Sequence, residues 1–274
     1  MYMEFDLTKV EFSPHDRKKG LRLPSKLTPE LAEDVGFHIG DGYMKYTPIK
    51  SNYQFSYSGG LDDENYFKNI LIPRKLKLFN IKNAKMRFSN QSNSIIFCFY
   101  SKAVLEFYRD VLKVEVSPKN TVSIPKWIFT SDKFKIAFVR GLVDSDGSLR
   151  FSKTGKKYGH YPIINFCSIS KKLLIDVKFI LHQLGFKPVL FKCSEIDKRT
   201  QRLNIRYYIQ LSGVSQLEKW IKIVGFNNTK HFSKYMFWKK FHFYDPNKLK
   251  KLKWAEQESN LQLSRCKRVD TNNP

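Results

Sequence analysis

The sequence predicts an α+β fold built from two pseudo-symmetric αββαββα repeats, packed on each other through one helix from each and carrying two antiparallel β-sheets. Three observations predict it. An apolar run closed by Asp-Gly occurs twice, at Val35–Tyr43 and at Phe138–Leu149, which sets Asp41 and Asp146 about 105 residues apart. Each run is followed by the same order of elements. Within each run small residues stand four apart, Gly36 with Gly40 and Gly141 with Ser145, and so share one face of a helix. A lone Asp-Gly is a common hairpin turn, but two in register are far more specific.

The elements follow in order. Residues 1–28 are a basic arm with two prolines, Pro14 and Pro24, read either as touching a ligand or as packing on the fold. Thr28 caps a helix that has Pro29 at its first position and runs to Gly40. Strands follow at Tyr43 to Tyr46 and Tyr53 to Tyr57, the second alternating aromatic and polar residues. A helix begins near Asp62 and ends before Asn80. Strands at Ala84 to Phe88 and Ser94 to Tyr100 and a helix from Lys102 to Lys113 complete the first repeat, 29–127. In the second repeat, 128–245, a helix from Asp132 to Ser145 leads to strands Ser148 to Phe151 and Ile163 to Cys167. A helix Lys171 to Leu184, strands Val189 to Cys193 and Leu203 to Leu211, and a helix Ser215 to Val224 come next. The aromatic and basic run Tyr235–Tyr244 reads as a final helix over the second repeat, and 246–274 as a basic tail.

Composition narrows the partners. With 49 Lys plus Arg against 25 Asp plus Glu, the formal net charge is +24, on a chain that is 42% hydrophobic and 15% aromatic. A folded chain with that surplus points to a polyanion, most commonly nucleic acid. No run of about 18 apolar residues and no secretory signal occurs, so an intracellular location and no membrane partner are expected. Cys98, Cys167, Cys193 and Cys266 are dispersed without a C-x-x-C pair, which argues against structural zinc and against a disulfide framework. The first three fall in strand-like runs and are expected as small core residues.

Glycine inside a helix costs roughly 1 kcal/mol relative to alanine, a loss that close packing of a second helix would justify. If the two runs pack through their small faces, Asp41 and Asp146 emerge side by side. A carboxylate at a helix C-terminus faces the negative end of the dipole and is stabilised by a bound cation. Oxygen ligands favour Mg²⁺ or Mn²⁺. An EF-hand loop is excluded, because Leu142 and Lys153 occupy its first and last ligand positions. A purely structural helix end is the competing reading. Asp144 is assigned to the helix terminus. The open sheet faces would carry Lys45, Arg87, Arg150, Lys153, Lys192 and Arg206 to phosphates and base edges over roughly 20 base pairs.

Val139–Gly147, Val-Arg-Gly-Leu-Val-Asp-Ser-Asp-Gly, and more loosely Asp34–Gly42, Asp-Val-Gly-Phe-His-Ile-Gly-Asp-Gly, resemble the nine-residue motif of the LAGLIDADG homing endonucleases in their single-chain, two-motif form. The resemblance covers about residues 29–240. It implies a saddle of two sheets on double-stranded DNA, a monomer, and Mg²⁺-dependent cutting of both strands, with Mn²⁺ or Ca²⁺ able to substitute in binding. It implies Asp41 and Asp146 as catalytic metal ligands, joined by the carbonyls of Gly40 and Ser145. Lys119 and Lys230 match the catalytic lysines found after the last helix of each repeat. Strands near the site end, by the same resemblance, at Ser58-Gly59 and Ser168-Ile169. The alternatives are an RNA maturase acting on an intron RNA and a non-cleaving DNA-binding regulator. The opening methionine and the lack of splicing domains favour an intron-encoded or free-standing form over one embedded in an intein.

Overall fold

The computed structural model describes residues 4–251 apart from 48–51, 82–83, 90–92, 117–118, 154–159, 197–198 and 200. Most of the expected tail, with Cys266, lies outside the described residues.

The arm packs on the first repeat. Its short helix α1 (Pro14–Lys18) is closed by a capping box between Ser13 and Asp16. The buried Asp16 also accepts the Ala103 N–H at 3.2 Å, and Phe5 stands edge-on to Phe107 at 5.2 Å.

Helix α2 (Pro29–Asp41) starts where Thr28 Oγ1 accepts the Leu31 N–H, with Pro29 at the position whose N–H has no partner in a helix. It runs without a linker into β1 (Gly42–Thr47), and β2 (Asn52–Gly60) returns beside it. A 3₁₀ turn (Leu61–Asp63) leads to α3 (Glu64–Tyr66), a π turn (Phe67–Leu71) and α4 (Ile72–Phe79). Pro73 lacks an N–H and crowds the preceding turn, and the wider π turn accommodates it. Strands β3 (Lys85–Ser89) and β4 (Ser94–Tyr100) and helix α5 (Lys102–Glu106), extended by a second π turn to Val111, end the repeat.

After a 3₁₀ turn (Lys126–Thr130), the second repeat repeats the order. It comprises α6 (Asp132–Asp146), β5 (Gly147–Ser152), β6 (Tyr161–Ser168), α7 (Lys171–Gln183), β7 (Val189–Ile196), β8 (Leu203–Ser212) and α8 (Val214–Ile223). Helices α9 (Thr229–Phe241) and α10 (Pro246–Lys251) follow. Both sheets are antiparallel with the same topology, β1-β2-β4-β3 and β5-β6-β8-β7. The expected two-repeat α+β architecture is therefore the one the chain adopts.

Each Asp-Gly step has a steric cause. A Cβ on Gly42 would lie 2.4 Å from the His38 carbonyl, and one on Gly147 would lie 2.5 Å from that of Val143. The strand folds straight back over the last helical turn, which only glycine permits.

The two long helices cross backbone to backbone. A Cβ on Gly36 would meet Phe138 O at 2.1 Å, one on Gly141 would meet Glu33 O at 2.0 Å, and one on Gly40 would meet Ser145 Oγ at 2.0 Å. Two buried polar networks flank this seam. Lys75 donates to Asp34 at 2.7 Å, Tyr57 at 2.6 Å and Tyr108 at 3.0 Å, and His38 Nδ1 lies 2.9 Å from the Tyr57 hydroxyl. Glu33 accepts from Arg74 at 2.6 Å, Arg140 Nε at 3.0 Å and Asn227 at 2.5 Å, tying α2, α4, α6 and the segment before α9 together.

Helices cover one face of each sheet, against residues such as Phe55, Phe97, Leu149 and Ile209, and the other face is open. Strand parity corrects one reading of the cysteines. Cys98 pairs with Ser56, Cys167 with Tyr208 and Cys193 with Arg206, so all three stand on the open faces rather than in the core. Cys193 is exposed and all three are free thiols.

Candidate active site

The packing of α2 on α6 brings Asp41 and Asp146 together at one end of the seam, where their carboxyls share a hydrogen bond. Burial, the facing charge and hydrogen bond of Asp146, and the charge of Asp63 push Asp41 up to about 7, against the pull of Lys119. Burial raises Asp146 as well, and Lys119 and the bond from Asp41 oppose it. Two facing carboxylates of this kind titrate as a pair and hold one proton between them.

Lys119 completes this side. Its ammonium donates to the Gly40 carbonyl, at the last turn of α2, and its charge reaches both aspartates. Burial lowers its pKa, and Asp146 and Asp41 restore part of the loss. Beside it opens a cavity of about 200 Å³ lined by Lys119, Asp146, Cys167, Ser168 and Arg206, with Ile39 and Leu173 among its walls. Arg206 was expected on the open sheet face. Its register opposite Cys193 puts it there, and it also lines the cavity at Asp146.

On the other side, Lys230 lies in the first turn of α9 rather than in a loop, because Asn228 caps that helix through the Lys230 N–H at 3.0 Å. A cation at a helix N-terminus is disfavoured by the dipole. The Asp63 carboxylate offsets this, meeting Lys230 Nζ at 2.7 Å and Asn228 Nδ2 at 2.8 Å. Asp144 lies wholly buried below this segment. It accepts the Asn227 N–H at 2.9 Å, and its carbonyl accepts Asn228 Nδ2 at 3.0 Å. Burial and the charge of Glu33 raise its pKa to about 7.

The oxygen donors fit a hard divalent cation. Two carboxylates that share a proton can exchange it for such an ion, and Gly40 and Ser145 directly precede them in the two helices. Among the described residues, no three His, Cys, Asp or Glu side chains converge on one point. Further ligands would have to be carbonyls, water or substrate, as Mg²⁺ commonly takes.

Of the expected open-face cations, Lys45, Arg87, Arg150 and Arg206 stand outward by register, opposite Gln54, Ile96, Ile163 and Cys193. Arg150 donates to Gln210 at 3.3 Å. Lys153 is exposed just past the end of β5. Lys192 is a correction. It pairs with Tyr207, on the side of Ile209 and the helices, because period-two alternation from Phe191 turns it away from the open face.

Asp63 is the group that sequence reasoning passed over. Its signal was the acidic run Asp62-Asp63-Glu64 in a strongly basic chain.

Among the described residues no helix is long and apolar enough to cross a membrane. Residues 133–225 match the family model of the LAGLIDADG-like domain. A glutamine–fructose-6-phosphate aminotransferase of Methanocaldococcus jannaschii is 23% identical over 208 residues, 75% of this chain. The chain spans only 17% of that protein's length. Among solved structures, mesophilic variants of the homing endonuclease I-DmoI align over 72% of this chain and 95% of theirs, at 19% identity and a TM-score of 0.49. The LAGLIDADG meganuclease I-AabMI bound to uncleaved DNA aligns over 87% and 93%, at 12% identity and a TM-score of 0.38. The second repeat is thus similar to the LAGLIDADG-like domain over residues 133–225.

Proposed function

We propose that the chain is a DNA endonuclease that hydrolyses one phosphodiester in each strand of a long duplex site, acting as a monomer with Mg²⁺. The observation that carries this reading is the abutment of Asp41 and Asp146, one from each repeat, with the Lys119 ammonium beside both. A monomer suffices, since both carboxylates come from one chain.

Asp41 and Asp146 would hold the ion, with the carbonyls of Gly40 and Ser145 beside them. When bound, Mg²⁺ supplies charge stabilisation to the attacking and leaving oxygens of an in-line displacement. Lys119 holds its positive charge beside both carboxylates and can donate to a phosphate oxygen or to the attacking water. Arg206 is placed to grip a phosphate entering the cavity. Asp63, whose charge reaches Asp41, holds Lys230 in an ion pair on the opposite side. Lys45, Arg87 and Arg150 would hold the duplex against the open faces through its backbone. An intron-encoded or free-standing gene is the setting this reading favours.

The test is selection from a randomised duplex library with Mg²⁺, comparing the native chain with Asp41→Asn and Asp146→Asn. Recovery of one long site, cut in both strands by the native chain and left whole by the double variant, is the expected result. Salt-sensitive binding with no cutting by any form would overturn the enzyme and leave a regulator. Preference for intron RNA over the duplex would leave a maturase.

A further inference from the structure

The open faces of the two sheets differ at their outermost strands. In the first sheet β3 turns Arg87 outward, opposite Ile96. In the second, β7 turns Val189, Phe191 and Cys193 outward, opposite Gln210, Tyr208 and Arg206. Val189 is 58% exposed and Phe191 42%. The Phe191 ring lies flat on that of Tyr208, with centroids 5.3 Å apart and planes 9° from parallel, so it is held in place while one side stays bare. The stack braces two neighbouring strands. It does not account for the outward surfaces of Val189 and Phe191, which remain in water on a chain of net charge +24.

We propose that Val189 and Phe191 read thymine 5-methyl groups in the major groove, in the outer part of the half-site covered by the second sheet. The proposal rests on the DNA-cleaving function above. Arg150 and Arg206 stand on the same face, and Arg206 lines the cavity at Asp146. A duplex gripped there passes over β7 at its outer end. Side chains with no donor or acceptor find one apolar group on the major-groove edges of the bases, the thymine methyl. Arg87 on the first sheet offers hydrogen bonds instead, so the two half-sites are read by different chemistry.

The experiment uses the full chain and the duplex recovered by selection, with each thymine in turn replaced by deoxyuridine, which removes the methyl and leaves every hydrogen-bonding group. The expected result is a loss of about 4-fold in affinity per methyl at one or two outer positions of a single half-site. Phe191→Ser and Val189→Ser should each bind the thymine and uracil forms more equally at those positions. Val189→Ser leaves the Phe191–Tyr208 stack intact, so its result is independent of any loss of stability. A selected site lacking thymine there, uracil tolerated throughout, or full methyl discrimination in both variants would overturn the proposal. Recovery of no binding sequence at all would instead overturn the DNA-cleaving function.

Discussion

Replacing Gly36 by alanine sets two physical effects of opposite sign against each other. Helix propensity favours alanine by about 1 kcal/mol inside α2. The seam opposes it, because the new Cβ would stand 2.1 Å from the Phe138 carbonyl oxygen and 3.1 Å from the Leu142 nitrogen. Both are backbone atoms of α6, so no side chain can turn away. Reaching even a tight contact requires the helices to part by roughly 1 Å along a fully buried stretch, and overpacking of this kind costs about 3 kcal/mol at its upper range. The net expectation is a loss of about 2 kcal/mol, or roughly 1 M in the urea midpoint at a slope near 2 kcal/mol per M. Gly141→Ala meets Glu33 O at 2.0 Å and should cost the same. One separation of the helices relieves both clashes, so the double variant should lose well under twice the single value. Gly60→Ala is the control, since its Cβ would have 3.8 Å to its nearest neighbour. Urea unfolding of the four variants by fluorescence measures this. A Gly36→Ala midpoint above that of the native chain would refute the backbone contact, and with it the reason Asp41 and Asp146 lie together.

Other expectations follow from the same geometry. Asp63→Asn should loosen Lys230 and slow one of the two strand cuts, so nicked circles accumulate from a supercoiled plasmid; an unchanged ratio of nicked to linear product would speak against it. Arg206→Ala should lose cleavage beyond its loss of binding, whereas Arg150→Ala should only weaken binding and flatten its salt dependence by about one unit of slope. The buried His231, both of whose ring nitrogens lack a hydrogen-bond partner, is held well below the ordinary histidine range by burial and by Lys230 and Lys234. Its folded pKa is depressed, so the unfolded chain takes up the proton first. Stability is present above pH 6.5 and is lost as pH falls from there toward the depressed folded value. His231→Phe, beside the Phe226 ring, should remove that part of the acid loss in thermal melts above and below that pH.

Periodicity and spacing were enough to place the motif helices, the eight strands and the pseudo-repeat, because each rests on local pattern: small residues four apart, alternation in Leu203–Ser212, and Asp-Gly at a helix end. What local pattern does not encode is which partner lies across the fold. Glu33, Asp34 and Lys75 are charged side chains that are buried in the fold. Their burial depends on α4 returning over α2, more than 40 residues later. Asp63 and Lys230 are joined between repeats, and neither position hints at the other. Lys192 shows the limit of alternation when the strand's phase is not known, since a one-residue difference moves a cation to the opposite face. The cysteines failed for the same reason.

The Glu33 node bears on how far each half of the chain is portable. One carboxylate gathers Arg74 from the first repeat, Arg140 from the second and Asn227 from the segment beyond it. A chimera that joins this first repeat to a foreign second one brings the carboxylate to a seam where two of its three partners are missing. Charge left unpaired in so buried a place is expensive. Exchange of halves therefore has to carry Arg140 and Asn227 across with the graft, and the unit of inheritance in this chain is the repeat together with the few residues that anchor it to its twin.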